Sequence, residues 1–280
     1  MPRCLNRLIV VAGPTAIGKT AHAIQLAREL DTEVVSCDSR QFYREMRVGV
    51  VRPTDEELSS VKHHFIACRS VTEPYNIYDY HRDAVAVIQR LIDERGSAVA
   101  VGGSGLYIDA LTSGVSRLPD PTPELRASLQ RMPLDEKKAR LRELDPDYYA
   151  KVDQNNPVRL QRALEVCLTA GRPYSQLLAE QQPVPPPFEC EVRVLQMEPA
   201  ELRSRIDHRV DGMIADGLLD EVRTLLPYRH LPTLRTVGYT EMFPVVDGEE
   251  TLEKAAAQIK LNTWHYARKQ LTWFKKYTTI

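Results

Sequence analysis

The sequence lacks the features typical of membrane-spanning, secreted and zinc-stabilised proteins. Across its 280 residues no apolar run approaches the roughly 20 residues of a membrane span, and the N-terminus has no signal-peptide pattern. The five cysteines are scattered, odd in number and never in C-x-x-C spacing, which disfavours disulfides and zinc sites and favours a reducing compartment. We therefore expect a cytoplasmic protein with no membrane partner.

Net charge is also nearly absent. A formal charge of −1 excludes a uniformly basic nucleic-acid-binding protein, but not one with a segregated basic surface. Acidic residues are missing from Lys254 to the C-terminus, where basic and aromatic side chains are interleaved. These side chains are Lys260, Trp264, Tyr266, Arg268, Lys269, Trp273, Phe274, Lys275 and Lys276. The mixture suits RNA contact, although aromatic residues on a helix more often belong to the core.

What the chain does contain is a phosphate-binding loop in the correct context. The loop consists of Gly13, Pro14, Thr15, Ala16, Ile17, Gly18, Lys19 and Thr20, a G-x-x-x-x-G-K-T motif. An apolar run precedes it and a stretch with helical spacing follows, which gives the strand, loop and helix that the motif requires. Its glycines let backbone amides face a phosphate. Lys19 can reach terminal phosphate oxygens, and the Thr20 hydroxyl is suited to Mg²⁺.

The second predicted strand, residues 33–39, ends in a carboxylate, Asp38. Because strand C-termini form the ligand-binding edge of an open parallel sheet, we expect Asp38 on the same edge as the phosphate-binding loop. The alternative is that Asp38 caps the following turn. A third strand, 97–101, ends in glycines and Ser104, where P-loop NTPases commonly carry an acid that holds Mg²⁺. This difference disfavours ATPase and GTPase activity.

The order of the predicted elements gives the fold class. Strands and helices alternate in the first part of the chain, including an amphipathic helix over 78–95, and predict an α/β fold with a parallel sheet. Proline-rich stretches then enclose a segment without a strand pattern, and a strand resumes at 191–195. Helices are predicted in that segment at 123–132, 134–144, 156–170 and 172–180. We therefore predict a P-loop α/β core, residues 1–117 and 189–280, with an inserted all-helical domain at 118–188.

One arginine pair lies on the predicted helix that starts at Pro199. Arg205 and Arg209 are four residues apart and share a helix face, so they repel each other unless an anion or a carboxylate lies nearby. Asp207 and Asp211 are candidates for that carboxylate. The pair alone therefore does not establish an anion-binding site.

Seven motifs carry a resemblance to a known family. In chain order they are GPTAIGKT (13–20), DSRQFY (38–43), GGSGLY (102–107), NPVRLQRALE (156–165), RIDHRV (205–210), RTVGY (235–239) and RKQLTWF (268–274). Together they resemble the bacterial tRNA dimethylallyltransferases (tRNA isopentenyltransferases), which prenylate the adenosine on the 3′ side of the anticodon. The resemblance covers nearly the whole chain, and the order of the motifs makes it specific.

The resemblance implies a catalytic set. An adenine N6 amine is a weak nucleophile because its lone pair is delocalised, and Asp38 matches the family's general base. The electrophile would be dimethylallyl diphosphate. Lys19 and Arg209 would stabilise its diphosphate leaving group, with Mg²⁺ as cofactor at Thr20. Ser104 completes the catalytic residues that the resemblance implies.

The resemblance also implies how tRNA binds. The target base would leave its stack to reach Asp38, and a monomer would hold the anticodon stem-loop through its core and its helical insertion. The implied tRNA contacts are Asp38, Ser39, Arg40, Gln41, Ser104, Arg126, Val158, Arg159, Leu160, Gln161, Arg162, Arg235, Gly238 and Tyr239. For Arg159 and Arg162, a solvated basic stripe on a surface helix is the structural alternative.

Three positions depart from the family pattern. Ser104 stands where the family usually has Thr, which keeps the hydroxyl. Arg268 and Lys269 reverse the family's Lys-Arg order, which puts a specific contact there in doubt. Ile17 replaces a small polar residue, which removes one side-chain hydrogen bond to phosphate but no backbone donor.

Two other classes of protein compete with this interpretation. A P-loop small-molecule kinase would use ATP at Gly13–Thr20 and Asp38 as base, but the basic C-terminal segment would then have no role. A non-catalytic RNA-binding module with a vestigial loop is the other alternative, and the intact Lys19 and Thr20 argue against it. Transfer of a labelled prenyl group to tRNA, as opposed to phosphorylation of a metabolite by ATP, distinguishes these classes.

Overall fold

The computed structural model describes residues 6–181 and 183–277, and its centre is a parallel sheet. Within these residues the strands are β1 Arg7–Ala12, β2 Val34–Ser36, β3 His63–His64, β4 Ser97–Gly102 and β5 Glu189–Val194. They are ordered β3-β2-β4-β1-β5, and every neighbouring pair is parallel. The central strand β4 is buried along its whole length, as expected for an apolar strand covered on both faces.

Thirteen α-helices surround this sheet or form a separate unit in the described part of the chain. They are α1 Lys19–Glu29, α2 Asp55–Ser60, α3 Ile77–Arg95, α4 Gly105–Ser113, α5 Pro123–Arg131, α6 Leu134–Leu144, α7 Pro146–Tyr149, α8 Pro157–Ala170, α9 Tyr174–Glu180, α10 Pro199–Ala215, α11 Leu218–Leu225, α12 Tyr239–Val246 and α13 Leu252–Phe274. Within the same residues, no helix combines the length and the apolar character that crossing a membrane demands.

Local signals explain where α3 begins and ends. The Asn76 side chain accepts hydrogen bonds from the backbone amides of Tyr78 and Asp79, and Asp79 completes a capping box. Gly96 adopts the left-handed conformation that ends the helix, since glycine enters this region at little cost. The helix predicted over 78–95 is therefore confirmed, with a start one residue earlier because the cap is Asn76.

The chain divides into two compact units, residues 1–112 with 186–280, and residues 113–185. The first contains the sheet. The second is helical, and its core includes Leu129, Leu141 and Leu164. Its predicted helices are all present, but α7 was missed because a four-residue helix has no apolar periodicity. Buried Asp145 caps α7 by accepting from the Tyr148 amide.

A buried carboxylate ties the edge of the sheet to α3. Glu33 is only 8% exposed, and its side chain accepts a 2.6 Å hydrogen bond from His64 Nε2. Three cations also surround the Glu33 carboxylate: Arg95 at 3.3 Å, Lys62 at 3.4 Å and Arg90 at 3.6 Å. Burial alone raises the pKa of Glu33, but the hydrogen bonds from His64 and Lys62 outweigh burial and leave it below the ordinary value of 4.5.

We predict that Glu33→Gln destabilises the fold by about 1–3 kcal/mol, the typical value of hydrogen bonds to a charged group. Because the folded pKa is lowered, the carboxylate contributes stability above a pH of 4.5, and this contribution is lost as the pH falls through the folded pKa. Urea denaturation of both proteins over a pH series measures the effect, which should shrink at acid pH.

Glu94→Gln is the matched control, because Glu94 pairs with Arg90 on the same helix in an exposed position. Loss of this exposed ion pair should lower the free energy of unfolding by less than about 1 kcal/mol. Equal losses in the two variants, or a Glu33→Gln effect that grows at acid pH, would contradict the role given to Glu33.

Candidate active site

The phosphate-binding loop joins the end of β1 to the start of α1. Gly18 adopts a φ of 95° and immediately precedes α1, so the first helical amides are free to face an anion. Lys19 and Thr20 occupy the first turn. The strand, loop and helix predicted from the sequence are therefore present, and they place a helix N-terminus beside the two residues best suited to phosphate and Mg²⁺.

Lys19 lies in an environment that disfavours its own charge. Its Nζ donates a 2.7 Å hydrogen bond to the Pro14 carbonyl. Burial and, to a smaller extent, the positive charge of Arg209 lower the pKa of Lys19 to about 7, although the Asp38 carboxylate opposes both effects. A bound polyanion would reverse this balance, because an opposite charge a few ångströms away favours the ammonium form.

Arg209 reaches the loop from α10. Its Nη1 donates a 3.0 Å hydrogen bond to Thr15 Oγ1. Burial lowers the pKa of Arg209, and the nearby Asp38 carboxylate raises it. The guanidinium therefore lies beside the loop that is suited to phosphate.

The two aspartates on α10 do not neutralise the arginine pair. Asp207 pairs with Arg203 at 3.4 Å and Asp211 with Lys260 at 2.6 Å, while Arg205 pairs with Glu201 at 2.9 Å. The interpretation that Asp207 and Asp211 explain the pair is therefore wrong. Side-chain direction on a helix decides this, and spacing alone does not reveal it.

Asp38 has both of the positions that the sequence suggested: it lies at the ligand-binding edge of the sheet, and its side chain caps the following turn. Its Oδ1 accepts a 2.9 Å hydrogen bond from the Arg40 amide, which makes it the first residue of an Asx turn. The same side chain lines the cavities described below. One oxygen therefore fixes the turn while the carboxylate remains at the cavity wall.

The segment after β4 carries Ser104 and a close contact with α13. Ser104 Oγ lies 3.3 Å from the Ser39 amide, which donates to it. Gln270 accepts from the Thr15 amide at 2.9 Å and donates to the Gly103 carbonyl at 2.8 Å. A Cβ at position 103 would lie 2.3 Å from Gln270 Nε2, so only glycine leaves room. Gln270 belongs to the RKQLTWF motif, but the charge pattern of this segment indicates a role only for the basic and aromatic neighbours of Gln270.

Two neighbouring cavities share Asp38 and Arg209 in their walls. The phosphate-loop cavity, about 270 Å³, is lined by Lys19, Thr20 and the surrounding loop. The Asp38 cavity, about 520 Å³, opens beside it. Residues that line both are Thr15, Asp38, Val50, Val51, Arg209 and Tyr266. An anion in one cavity and a nucleophile in the other would thus meet at Asp38 and Arg209.

The predicted RNA contacts in the first unit differ in accessibility. Arg40 and Arg235 line the Asp38 cavity. Gln41 is engaged with the backbone, since its Nε2 donates to the carbonyls of Val50 and Val51. Ser39 also lines the Asp38 cavity, and Gly238 is buried.

The RNA contact expected at Tyr239 stays a prediction, and the structure places the side chain of this residue in the core. Tyr239 has no exposed surface, and its hydroxyl donates a 2.6 Å hydrogen bond to Glu221. The motif RTVGY therefore ends in a residue of the core.

The helical unit contains a second cluster, built around buried Glu165. This carboxylate, 5% exposed, accepts a 3.0 Å hydrogen bond from Gln161 Nε2. It also lies 3.7 Å from Arg126 Nε and 3.6 Å from Arg162 Nη1. Glu165, which the sequence analysis did not identify, thus holds three of the predicted RNA contacts: Arg126, Gln161 and Arg162.

The remaining predicted RNA contacts on α8 differ in their exposure to solvent. Val158 is 74% exposed, and Arg159 is exposed as well. Leu160 is fully buried in the core of the helical unit, and the RNA contact expected at this position stays a prediction.

A family model described as IPP transferase matches residues 41–277. The chain belongs to the IPP transferase family. This family member is 42% identical to the tRNA dimethylallyltransferase of Christiangramia forsetii, over 97% of the chain and 91% of the relative. It is 41% identical to that of Flavobacterium psychrophilum, over 97% and 92%.

Solved structures of the family have the same fold. The tRNA isopentenylpyrophosphate transferase of Bacillus halodurans is 33% identical with a TM-score of 0.69, over 98% of this chain and 89% of that one. A eukaryotic dimethylallyltransferase described as acting on tRNA is 26% identical with a TM-score of 0.80, over 96% and 69%. The predicted fold class, a P-loop α/β core with a helical insertion, is confirmed.

We predict that inorganic pyrophosphate binding makes Lys19 of this family member take up a proton above pH 7. The pKa of Lys19 is about 7 and should rise when an anion binds, so affinity should fall by up to about tenfold per pH unit above that value. Titration calorimetry at pH 8 in buffers of different ionisation enthalpy counts the protons taken up. Lys19→Arg is the control, because arginine stays protonated. Identical proton uptake by the two proteins would show that Lys19 does not titrate.

Proposed function

We propose that the chain transfers a dimethylallyl group from dimethylallyl diphosphate to N6 of adenosine 37, on the 3′ side of the anticodon in tRNA, and releases pyrophosphate. The names of its relatives support this activity. The observation that carries the proposal is the placement of Asp38 and Arg209 in the wall shared by two cavities. Substitution at carbon needs a nucleophile and a leaving group on opposite sides, and two neighbouring cavities suit that arrangement.

The leaving group belongs in the phosphate-loop cavity. As the C1–O bond breaks, negative charge grows on the diphosphate. Loop amides, Lys19 and Arg209 are already directed at that space, so little reorganisation is needed when the charge develops. The diphosphate in turn restores the protonated state of Lys19, which burial and Arg209 disfavour.

The nucleophile belongs in the Asp38 cavity. There the adenine N6 forms a bond to C1 while Asp38 accepts one N6 proton, and the bonding electrons of C1–O leave with pyrophosphate. The hydrogen bond from the Arg40 amide fixes the carboxylate, so a proton acceptor stands ready at the meeting point of the cavities. The N6 nitrogen is thereby left as an uncharged secondary amine in the product, and Asp38 holds the proton until it is released to solvent.

Thr20 fits the role of holding Mg²⁺. Thr20 lies half-buried in the first turn of α1, and it lines the phosphate-loop cavity together with Lys19 and Asp38. Mg²⁺ prefers oxygen ligands and is commonly held by one or two protein groups together with substrate phosphates. When bound, the ion would neutralise diphosphate charge, and Thr20 would orient it through its hydroxyl.

We propose that the helical unit, 118–188 in our domain prediction, binds the anticodon stem-loop. Its support is the cluster around Glu165, in which a buried carboxylate holds Gln161 and two guanidiniums. Fixed guanidiniums recognise phosphate and base edges better than mobile ones. Exposed Val158 and Arg159 extend this surface along the first turn of α8.

We predict that Asp38→Asn lowers prenyl transfer by about 10²–10⁴-fold, the usual contribution of general base catalysis, with little change in tRNA affinity. Asparagine can still accept from the Arg40 amide and keep the turn, but it cannot take the proton. The assay combines Mg²⁺, labelled dimethylallyl diphosphate and an unmodified tRNA with adenosine at position 37. Asp38→Ala, which also removes the turn contact, should be no more active.

The assay also tests the function itself. Absence of label on adenosine with the unaltered protein, together with ATP-dependent phosphorylation of a metabolite, would favour the kinase. Normal transfer by Asp38→Asn would instead show that the turn is the only role of Asp38.

We further predict that Glu165→Gln weakens discrimination among RNAs by about tenfold, the order expected when one positioned arginine contact is lost. The freed guanidiniums still attract phosphate, so affinity for an unrelated hairpin should not fall. The measurement compares binding of the anticodon stem-loop and of that hairpin at two salt concentrations. Exposed Glu136 in the same unit gives the control Glu136→Gln. If both variants keep the discrimination of the unaltered protein, Glu165 does not organise an RNA-binding cluster.

A further inference from the structure

The loop of residues 47–51 forms part of the wall of both cavities. Gly49 lines the Asp38 cavity, and Val50 and Val51 line both cavities. Val51 has a φ of 46°, a left-handed conformation that a β-branched residue adopts only under strain. Such a conformation persists when its surroundings over-determine it. The contacts that hold this loop therefore control the shape of the site.

Glu221 on α11 supplies most of those contacts. Its Oε2 accepts from the amides of Arg47 at 2.9 Å and Val48 at 2.7 Å. Its Oε1 accepts from the Gly49 amide at 3.0 Å and from the Tyr239 hydroxyl at 2.6 Å. A carboxylate has about four acceptor positions, so this arrangement uses its full capacity. None of these four donors belongs to the phosphate-binding loop.

Tyr239 connects the same carboxylate to the opposite side of the Asp38 cavity. Only Gly238 separates it from Arg235–Val237, residues that line that cavity. A Cβ at Gly49 would lie 2.5 Å from the Tyr239 ring, so the loop rests directly on this ring. On the other side of the loop, Gln41 donates to the carbonyls of Val50 and Val51. The loop is thus fixed from both sides, and Glu221 holds both walls at once.

We propose that Glu221 is a positioning residue for prenyl transfer. It does not line either cavity, and it acts through the 47–49 amides and Tyr239 to set the width of the Asp38 cavity. A correct width keeps adenine N6 aligned between Asp38 and the reacting carbon. This inference rests on the proposed function, but the contacts themselves can be tested without it.

The decisive variant is Glu221→Gln, whose amide nitrogen cannot accept from the backbone amides. We expect kcat for prenyl transfer to fall between about tenfold and a hundredfold, the range for a displaced site geometry, while tRNA affinity stays nearly constant. Asp220→Asn is the matched control, since exposed Asp220 is on the same helix and pairs with Arg223 at 2.7 Å. It removes the same charge and should leave kcat unchanged.

A second variant reaches the same loop without altering the carboxylate. Gly49→Ala places a methyl group against the Tyr239 ring and should reproduce the kinetic effect of Glu221→Gln. Tyr239→Phe removes one of four hydrogen bonds and should have an intermediate effect. This graded series separates a positioning role from a general loss of charge.

Hydrogen exchange of the 47–49 amides gives a readout that is independent of activity. Exchange should be at least about tenfold faster in Glu221→Gln than in the unaltered protein or in Asp220→Asn, since a lost opening free energy of 1.4 kcal/mol corresponds to that factor. Unchanged exchange, or unchanged kcat in both Glu221→Gln and Gly49→Ala, would overturn the inference. Absence of transfer by the unaltered protein, with exchange altered as expected, would instead overturn the proposed function alone.

Discussion

The rest of the site depends on two half-buried cations, Lys19 and Arg209, placed next to a single carboxylate, Asp38. Lys19 and Arg209 are both in surroundings that lower their pKa, and the charge of Arg209 adds to the effect on Lys19. The Asp38 carboxylate raises both pKa values, but it offsets the lowering only in part. Such an arrangement favours a highly charged anion as ligand. Burial disfavours the charged forms of Lys19 and Arg209, and a nearby negative charge stabilises them. A diphosphate leaving group satisfies that requirement, and it makes the same charges useful in the transition state.

The parallel sheet is what brings these charges together. The loop follows β1, Asp38 follows β2 and Gly103 follows β4, and these strands are neighbours in the order β2-β4-β1. Their carboxyl ends lie at one edge because they are parallel. Gly13 and Gly103, about ninety positions apart, thus lie at the same edge of the sheet, and α10 and α13 add Arg209 and Gln270 from the far end of the chain.

Much of this could be predicted from sequence, because it follows local rules. The phosphate-binding loop, the edge position of Asp38 and most helices are recorded in short patterns of glycine, polarity and apolar spacing. Gln270 and Glu221 could not be found in this way, since their partners lie 255 and more than 170 residues away. A polar residue inside an apolar or basic stretch gives no sign of which distant amide it will meet.

The burial of Leu160 and Tyr239, both of which belong to the motifs, clarifies what a motif means. A motif marks positions where a change of side chain is harmful, and contact with the substrate is only one reason for harm. Tyr239 supports Gly49 and the cavity wall from the core. Leu160 anchors the helix whose opposite face presents Gln161 and Arg162. Burial separates the two kinds of residue, and the residues that support the site are as necessary to its geometry as those that touch the ligand.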